Sequence, residues 1–305
     1  MTRVAAIDCG TNSIRLLIAD LTDDGGLVDV ERRMEIVRLG QGVDRTGRLA
    51  AEALTRTRTA LVDYADRIRR SGATRVRMVA TSATRDAENA DEFRDMVTGV
   101  LGVPPDVVTG EEEAHLSFTG AVGGLSRDTE PPYLVADIGG GSTELVVGTD
   151  EVKAACSVDV GCVRMTERHL HDDPPTPAQI VAAEADIRQA VDKALAVVEG
   201  QTARTLIGLA GSVTTVAGIA LGLPAYDSAA IHHARISYTD VAEVTGMLLS
   251  ATRQQRAALG VMHPGRVDVI GAGALVLRVL MERAGADSVI ASEHDILDGI
   301  ALSLA

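Results

Sequence analysis

Residues 4–20 read VAAIDCGTNSIRLLIAD, and residues 133–148 read YLVADIGGGSTELVVG. Each stretch is an apolar run ending in Asp, a glycine-bearing turn with hydroxyl or amide side chains, and a second apolar run. Under a shift of 129 residues, Asp8 falls on Asp137, Gly10 on Gly139 and Ser13 on Ser142. Both copies continue through a turn (Asp23-Asp24-Gly25-Gly26; Thr149-Asp150-Glu151) toward a third strand, near 27–32 and 152–158. The same order of elements twice over reads as an internal duplication.

The rhythm persists downstream. The first copy predicts a helix over about 50–70, a strand at 75–80, a helix from Asn89, a strand near 106–109 and a helix from about 112. Asn89 with Glu92 has the spacing of a capping box. The second predicts a long helix opened by Thr176-Pro177-Ala178-Gln179, a strand at 205–210, and helices near 213–221, 240–251 and 267–284. A strand at 288–291 and a helix at 296–304 follow. Each half therefore reads β-β-β-α-β-α-β-α, which specifies an α/β fold of two tandem domains, each a mixed five-stranded sheet flanked by helices. The boundary falls in the Gly-, Ser- and Pro-rich stretch 123–132. That places domain I at 1–124 and domain II at 131–295, with an interdomain cleft as the expected ligand site.

Composition narrows the function. Of 305 residues, 29 are basic and 43 acidic, a formal net charge of −14 that disfavours a nucleic-acid or anionic-membrane binder. A phosphate substrate remains compatible if metal ions and local arginines screen it. Only Lys153 and Lys193 are lysines, and arginine offers forked hydrogen bonds to phosphate. With Trp absent and only Phe93, Phe118 and four Tyr, no aromatic platform for bases is expected. No apolar run approaches the roughly 18 residues of a membrane span. Cys9, Cys156 and Cys162 form neither a disulfide framework nor a zinc pair, so a reduced, cytoplasmic protein is expected.

The sharpest chemical motif is Asp137-Ile138-Gly139-Gly140-Gly141-Ser142-Thr143-Glu144. Three glycines let backbone approach a ligand and turn N–H groups toward an anion. Ser142 and Thr143 add hydroxyls, and Asp137 and Glu144 supply hard oxygen ligands suited to Mg²⁺. Asp8-Cys9-Gly10-Thr11-Asn12-Ser13 is the equivalent loop, with Asp8 a further candidate ligand and Arg15 facing either ligand or solvent. Gly208–Thr215, which contains Gly211 and Ser212, is a strand-to-helix turn of small residues that presents free N–H groups. Glu111, Glu112 and Glu113 open a helix, and one of them is a candidate general base. Arg85 follows a strand and is a candidate phosphoryl clamp. Residues 45–77 hold nine Arg against Glu52, Asp63 and Asp66, a local positive excess on which a polyanion could lie. His169-Leu170-His171 and His232-His233 lack helical metal-pair spacing and read as surface residues.

Paired DxG loops in duplicated domains resemble the actin-like (RNase H-like) ATPase superfamily. IDCGTNSIRLLIAD, ATSATRDAENADEF, GEEEAHLSFTGAV, VADIGGGSTELVVG, GLAGSVTTVAG and HPGRVDVIGAGALVL together resemble the exopolyphosphatase / guanosine pentaphosphate phosphohydrolase family over nearly the whole chain. The resemblance implies Glu113 as catalytic base and Arg85 as the phosphate-binding arginine. It implies metal and phosphate sites at Asp137, Gly139, Gly140, Gly141, Ser142, Thr143 and Glu144, with Asp8, Asn12 and Ser13 opposite and Gly211-Ser212 as a second glycine turn. It further implies Mg²⁺, or Mn²⁺ in its place, a homodimer, and a final helix, 296–305, that packs back on the first domain. The implied reaction releases orthophosphate from the end of inorganic polyphosphate. Hydrolysis of guanosine pentaphosphate (with guanosine tetraphosphate as its counterpart ligand), an ATP-dependent kinase and a non-catalytic alarmone sensor are the rivals.

Overall fold

The computed structural model describes residues 2–23, 25–126 and 129–305. The turn residue Asp24 and the boundary residues Arg127 and Asp128 lie outside the described residues. The chain divides into two compact units. One comprises residues 1–120 together with 296–305, and the other comprises residues 121–295.

The first unit is built on strands β1 (Thr2–Cys9), β2 (Ser13–Leu21), β3 (Leu27–Ile36), β4 (Arg75–Ala80) and β5 (Asp106–Val107). They lie in the order β3-β2-β1-β4-β5, with the β1–β2 and β2–β3 pairs antiparallel and the β1–β4 and β4–β5 pairs parallel. Strand alternation divides β1 between two cores. Ala5, Ile7 and Cys9 face the helix Ala51–Ser71, whose buried positions Ala53, Thr57, Leu61, Tyr64 and Ile68 recur at helical spacing. Val4 and Ala6 face the other way, where Ile296, Leu297, Ile300 and Ala301 of the helix Ile296–Leu302 cover them.

That final helix is also tied down by charge. Asp298, 4% exposed, receives Arg32 of β3 at 2.6 and 3.2 Å. Burial opposes the Arg32 charge, but hydrogen bonding and attraction from Asp298 and Asp29 more than offset it, so its pKa is raised. Truncation of the carboxylate in Asp298→Ala leaves the partly exposed Arg32 guanidinium without its buried partner. The expected loss is about 2–3 kcal/mol, between the values for exposed and fully buried pairs. A urea titration followed by circular dichroism measures it, with Asp298→Asn as the isosteric control.

The second unit carries β6 (Tyr133–Ile138), β7 (Thr143–Gly148), β8 (Val152–Val158), β9 (Thr205–Leu209), β10 (Arg235–Ser237) and β11 (Ser288–Ala291). Their order is β10-β11-β9-β6-β7-β8. From β8 to β11 this repeats the first sheet strand for strand, with the same parallel and antiparallel pairings. The sheet has six strands, not the expected five. The addition, β10, is three residues long and pairs antiparallel with β11 at the edge. So short a run, between helices, carries no alternation long enough to register as a strand.

Helix ends follow local chemistry, with one reversal. Thr176 caps the helix Pro177–Val198 in a full capping box with Gln179. Asn89 does precede the helix Ala90–Leu101, but it makes no box. Its Oδ1 accepts from the Leu49 N–H at 2.8 Å and its Nδ2 donates to the Leu49 carbonyl at 3.1 Å, pinning the start of the Ala51–Ser71 helix instead. A distant backbone outcompeted the local N–H groups. Among the described residues no helix is long and apolar enough to cross a membrane.

Candidate active site

The two duplicated loops close with one hydrogen bond in common. Gly10 N–H donates to the Ser13 carbonyl at 3.0 Å, and Gly139 N–H donates to the Ser142 carbonyl at 3.0 Å. In each, the next segment of chain collects the loop's carbonyls. Val37 and Arg38 N–H donate to the Asn12 carbonyl, and Gly40 N–H to that of Thr11. Correspondingly, the N–H groups of Cys162, Val163 and Arg164, at the start of the helix Cys162–His169, donate to the carbonyls of Gly139 and Gly140. Arg164 Nε takes the Gly141 carbonyl at 2.7 Å. With the carbonyls drawn inward, the amides of Gly140 and Gly141, like those of Thr11 and Asn12, have no partner among the described residues and remain available as donors.

The tightness of the second loop comes from Gly161. A Cβ there would lie 2.5 Å from the carbonyl carbon and oxygen of Gly140. Gly161 has an extended backbone with φ −148°, so its requirement is room and not conformation.

The hydroxyls divide into committed and available ones. Thr143 Oγ1 donates to the Val160 carbonyl at 2.6 Å, fully buried, and holds β7 to the turn before the Cys162 helix. That use competes with the phosphate-donor role expected of it. Thr11 Oγ1 pairs with Ser82 Oγ at 2.9 Å. The side chains of Asn12, Ser13 and Ser142 have no hydrogen-bond partner among the described residues and are free to donate. Ser212 is buried against Gly273, whose Cβ would fall 2.2 Å from its Oγ. Gly211 lies against Arg266, whose Nη1 donates to the Gly211 carbonyl at 3.1 Å. Ala210 opens this turn in the left-handed region at φ 67°, a strain of about 1–2 kcal/mol.

Among the acids, Asp137 and Glu144 are register partners on β6 and β7. Ala136 and Ile138 point into the core of this unit, so Asp137 and its partner point out of the opposite face. They are 7% and 1% exposed, and Glu144 Oε1 accepts from Ser157 Oγ at 2.7 Å. Two carboxylates opposed across adjacent strands repel unless a cation or proton joins them. Hard oxygens in that arrangement suit Mg²⁺, which takes one or two carboxylates and leaves its other positions to water and phosphate. Among the described residues no group of three or more acids, histidines or cysteines forms a protein-only metal cage. Asp8 is held by Arg15 through Nη2 at 2.6 Å and Nε at 2.9 Å, the two being register partners on β1 and β2.

Three glutamates begin the helix Gly110–Val122, and the structure separates them. Glu111 is exposed, and Glu112 pairs with Arg77 on the surface at 2.8 Å. Glu113 is 7% exposed and receives Arg85 Nη1 at 3.2 Å, while the same nitrogen donates to the Val108 carbonyl at 2.9 Å. Arg85 ends a one-turn helix, Ser82–Arg85, directly after β4. Two residues singled out 28 positions apart are thus brought together at the carboxyl ends of adjacent parallel strands, where ligands of α/β sheets bind.

The arginine-rich stretch 45–77 carries less free charge than its count suggests. Arg67 pairs with Glu31 and Asp63, Arg69 and Arg70 with Asp66, and Arg77 with Asp106 and Glu112. Acids from outside the stretch thus offset much of it. The cysteines are packing groups. Burial, reinforced by Asp8, pushes the Cys9 thiol up, and burial does the same for Cys162. Sequence reasoning missed Gly161, Arg164 and Arg266. Only Arg266 had a signal, lying within the HPGRVDVIGAGALVL stretch.

Residues 17–305 match the model of the Ppx/GppA phosphatase family. A protein named exopolyphosphatase 2 from Mycobacterium tuberculosis is 56% identical, across all of this chain and 99% of its own length. A guanosine-5′-triphosphate,3′-diphosphate pyrophosphatase of Vibrio cholerae is 35% identical over 221 residues, which is 71% of this chain and 43% of that protein. A crystal structure of an exopolyphosphatase-like protein superposes with a TM-score of 0.96 at 46% identity, covering 100% of this chain and 98% of that one. With the duplicated sheets, the paired glycine loops and the Glu113–Arg85 pair, these matches make the chain a member of the Ppx/GppA phosphatase family.

Proposed function

We propose that this protein is an exopolyphosphatase, hydrolysing the terminal phosphoanhydride of inorganic polyphosphate and releasing orthophosphate. The observation that carries the reading is a buried carboxylate, Glu113, held by an arginine beside a strand end, in a chain alike from end to end to a protein named exopolyphosphatase 2. A carboxylate there serves as general base toward water, with its geometry fixed by Arg85.

The chain's residues divide the work by chemistry. In the second unit the amides of Gly140 and Gly141 and the side chain of Ser142 are donors for phosphate oxygens, and in the first unit the side chains of Asn12 and Ser13 are donors of the same kind. Arg85 offsets charge that grows on the transferred phosphoryl group. Glu113 orients a water and takes its proton as the phosphorus–oxygen bond to the leaving chain breaks. Arg15 holds Asp8 in place through two hydrogen bonds. Asp137 and Glu144 would hold Mg²⁺, which would supply positive charge to offset that of the phosphate.

Phosphate release is measured in parallel from short and long polyphosphate, guanosine pentaphosphate and ATP, with Mg²⁺ and with a chelator. Metal-dependent release from polyphosphate is the expected result. Release from guanosine pentaphosphate alone would transfer the assignment to that substrate, consistent with the likeness to the Vibrio cholerae pyrophosphatase.

A further inference from the structure

His232 and His233, which read as surface residues in the sequence, form one stack with His294. The ring centroids of His232 and His233 lie 3.7 Å apart at 29°, and those of His232 and His294 lie 4.5 Å apart at 45°. All three are half-buried.

The stack laces two segments together. His233 takes a left-handed backbone at φ 64°, and its N–H donates to the Ala291 carbonyl at 2.7 Å. Ala291 N–H returns a bond to the Ala234 carbonyl at 2.9 Å. His232 Nδ1 accepts from the Glu293 N–H at 3.1 Å, which assigns the neutral ring's proton to Nε2. His294 N–H donates to Ser292 Oγ at 3.1 Å, and its Nδ1 lies 3.6 Å from where a Cβ on Gly124 would stand. Residues 292–295 are the stretch by which the chain leaves the second unit for the helix Ile296–Leu302 of the first, and Gly124 lies just past the point where it enters.

The charged groups on the elements packed around the stack are already engaged. Asp227 caps Ala229 and Ala230, and Arg235 donates to Ser288 Oγ. Glu293 Oε1 is hydrogen-bonded to the Tyr226 hydroxyl at 2.6 Å, and that hydroxyl also reaches Thr214 Oγ1 at 2.8 Å, in the helix that opens at the Ala210-Gly211 turn. Asp295 is buried at the end of the segment.

From this geometry we infer that the three histidines are an acid-sensitive latch. When neutral they fasten residues 292–295 to residues 231–234. When protonated they release that loop, and with it the Glu293–Tyr226–Thr214 chain that steadies the start of the helix Ala210–Ala220. The proton enters His232 at Nδ1, the atom that accepts from Glu293, so uptake and loss of the backbone bond are one event. A cation on one ring then lies within 3.7–4.5 Å of its neighbours and opposes a second. His233 Nε2 is buried with no hydrogen-bond partner among the described residues, so a proton there gains no acceptor. Burial first, and then His294, pushes the His233 pKa below the usual histidine value. A histidine depressed in this way leaves the unfolded chain binding more protons than the folded one. The latch is therefore fully fastened above about pH 6.5 and weakens as the pH falls below it.

Hydrogen exchange followed by mass spectrometry on the whole chain tests this, at about pH 7.5 and about pH 5.5 with rates corrected for intrinsic chemistry. Peptides covering 231–236 and 288–295 are expected to lose about tenfold in protection at the lower pH, while β1 and β4 stay unchanged. His232→Gln keeps an acceptor for Glu293 but cannot titrate, and its exchange should respond less to pH than that of the wild type. Equal wild-type protection at both pH values overturns the proposal, as does an undiminished response in His232→Gln.

Discussion

Replacing Glu113 by Gln should lower turnover on polyphosphate by roughly 10²–10⁴ while leaving KM within about threefold. The size follows from what the substitution removes. Gln keeps the volume and one oxygen able to accept from Arg85, so the 3.2 Å contact and the packing of the helix Gly110–Val122 persist. What is lost is the ability to take a proton from water, a step on the path to the transition state and not a part of substrate binding. Glu112→Gln is the matched control. Glu112 lies one residue away, pairs with Arg77 on the surface, and should change turnover little. Steady-state kinetics on both variants decides the matter. A raised KM with unchanged kcat for Glu113→Gln would make the residue a binding group and overturn its role as base.

Gly161→Ala should be the most damaging single methyl group in the second unit's loop system. Its Cβ would come within 2.5 Å of Gly140 and 2.7 Å of the Gly141 carbonyl carbon, all backbone, so no side chain can swing aside. Either the triple-glycine loop or the start of the helix Cys162–His169 must move, and the bonds from Cys162, Val163 and Arg164 to the loop's carbonyls move with it. A displacement of about 1 Å at a phosphate-positioning loop costs roughly 10²-fold in rate. The accompanying strain is about 1–3 kcal/mol, small enough for the protein to stay folded at 25 °C. Turnover per folded molecule, with circular dichroism as the fold check, separates the two effects. A folded Gly161→Ala with wild-type turnover would remove the loop from the chemistry.

The parts of the fold legible in the sequence were those with a period or a repeat. Val4 to Cys9 and Leu134 to Ile138 announced themselves as apolar runs with shared Asp-to-glycine endings, and the two sheets repeat one another from β3 to β5 and from β8 to β11. What stayed hidden depends on contacts distant in sequence. Asn89 has the spacing of a capping box, yet it serves Leu49, 40 residues away. Thr143 has the look of a phosphate donor, yet its hydroxyl is spent on Val160. Several of the acids that pair with the arginines of 45–77, such as Glu31, Asp106 and Glu112, stand outside that stretch. At the candidate site, the Asp137–Glu144 opposition could be read from the two strands meeting at one turn. The choice of Glu113 among three adjacent glutamates rested on family resemblance, and only burial and the reach of Arg85 give it a physical reason.

The helix Ile296–Leu302 belongs to the first unit although 175 residues of the second precede it. During synthesis, Val4, Ala6 and Leu17 therefore emerge from the ribosome long before Ile300 and Ala301, the groups that cover them. At 5–20 residues per second that interval is roughly 15–60 s. For its duration the newborn first unit exposes one face of its sheet, with Arg32 still awaiting Asp298. The second unit, whose residues are contiguous, is free to finish first. In the order of synthesis, the domain begun earliest is the one completed last.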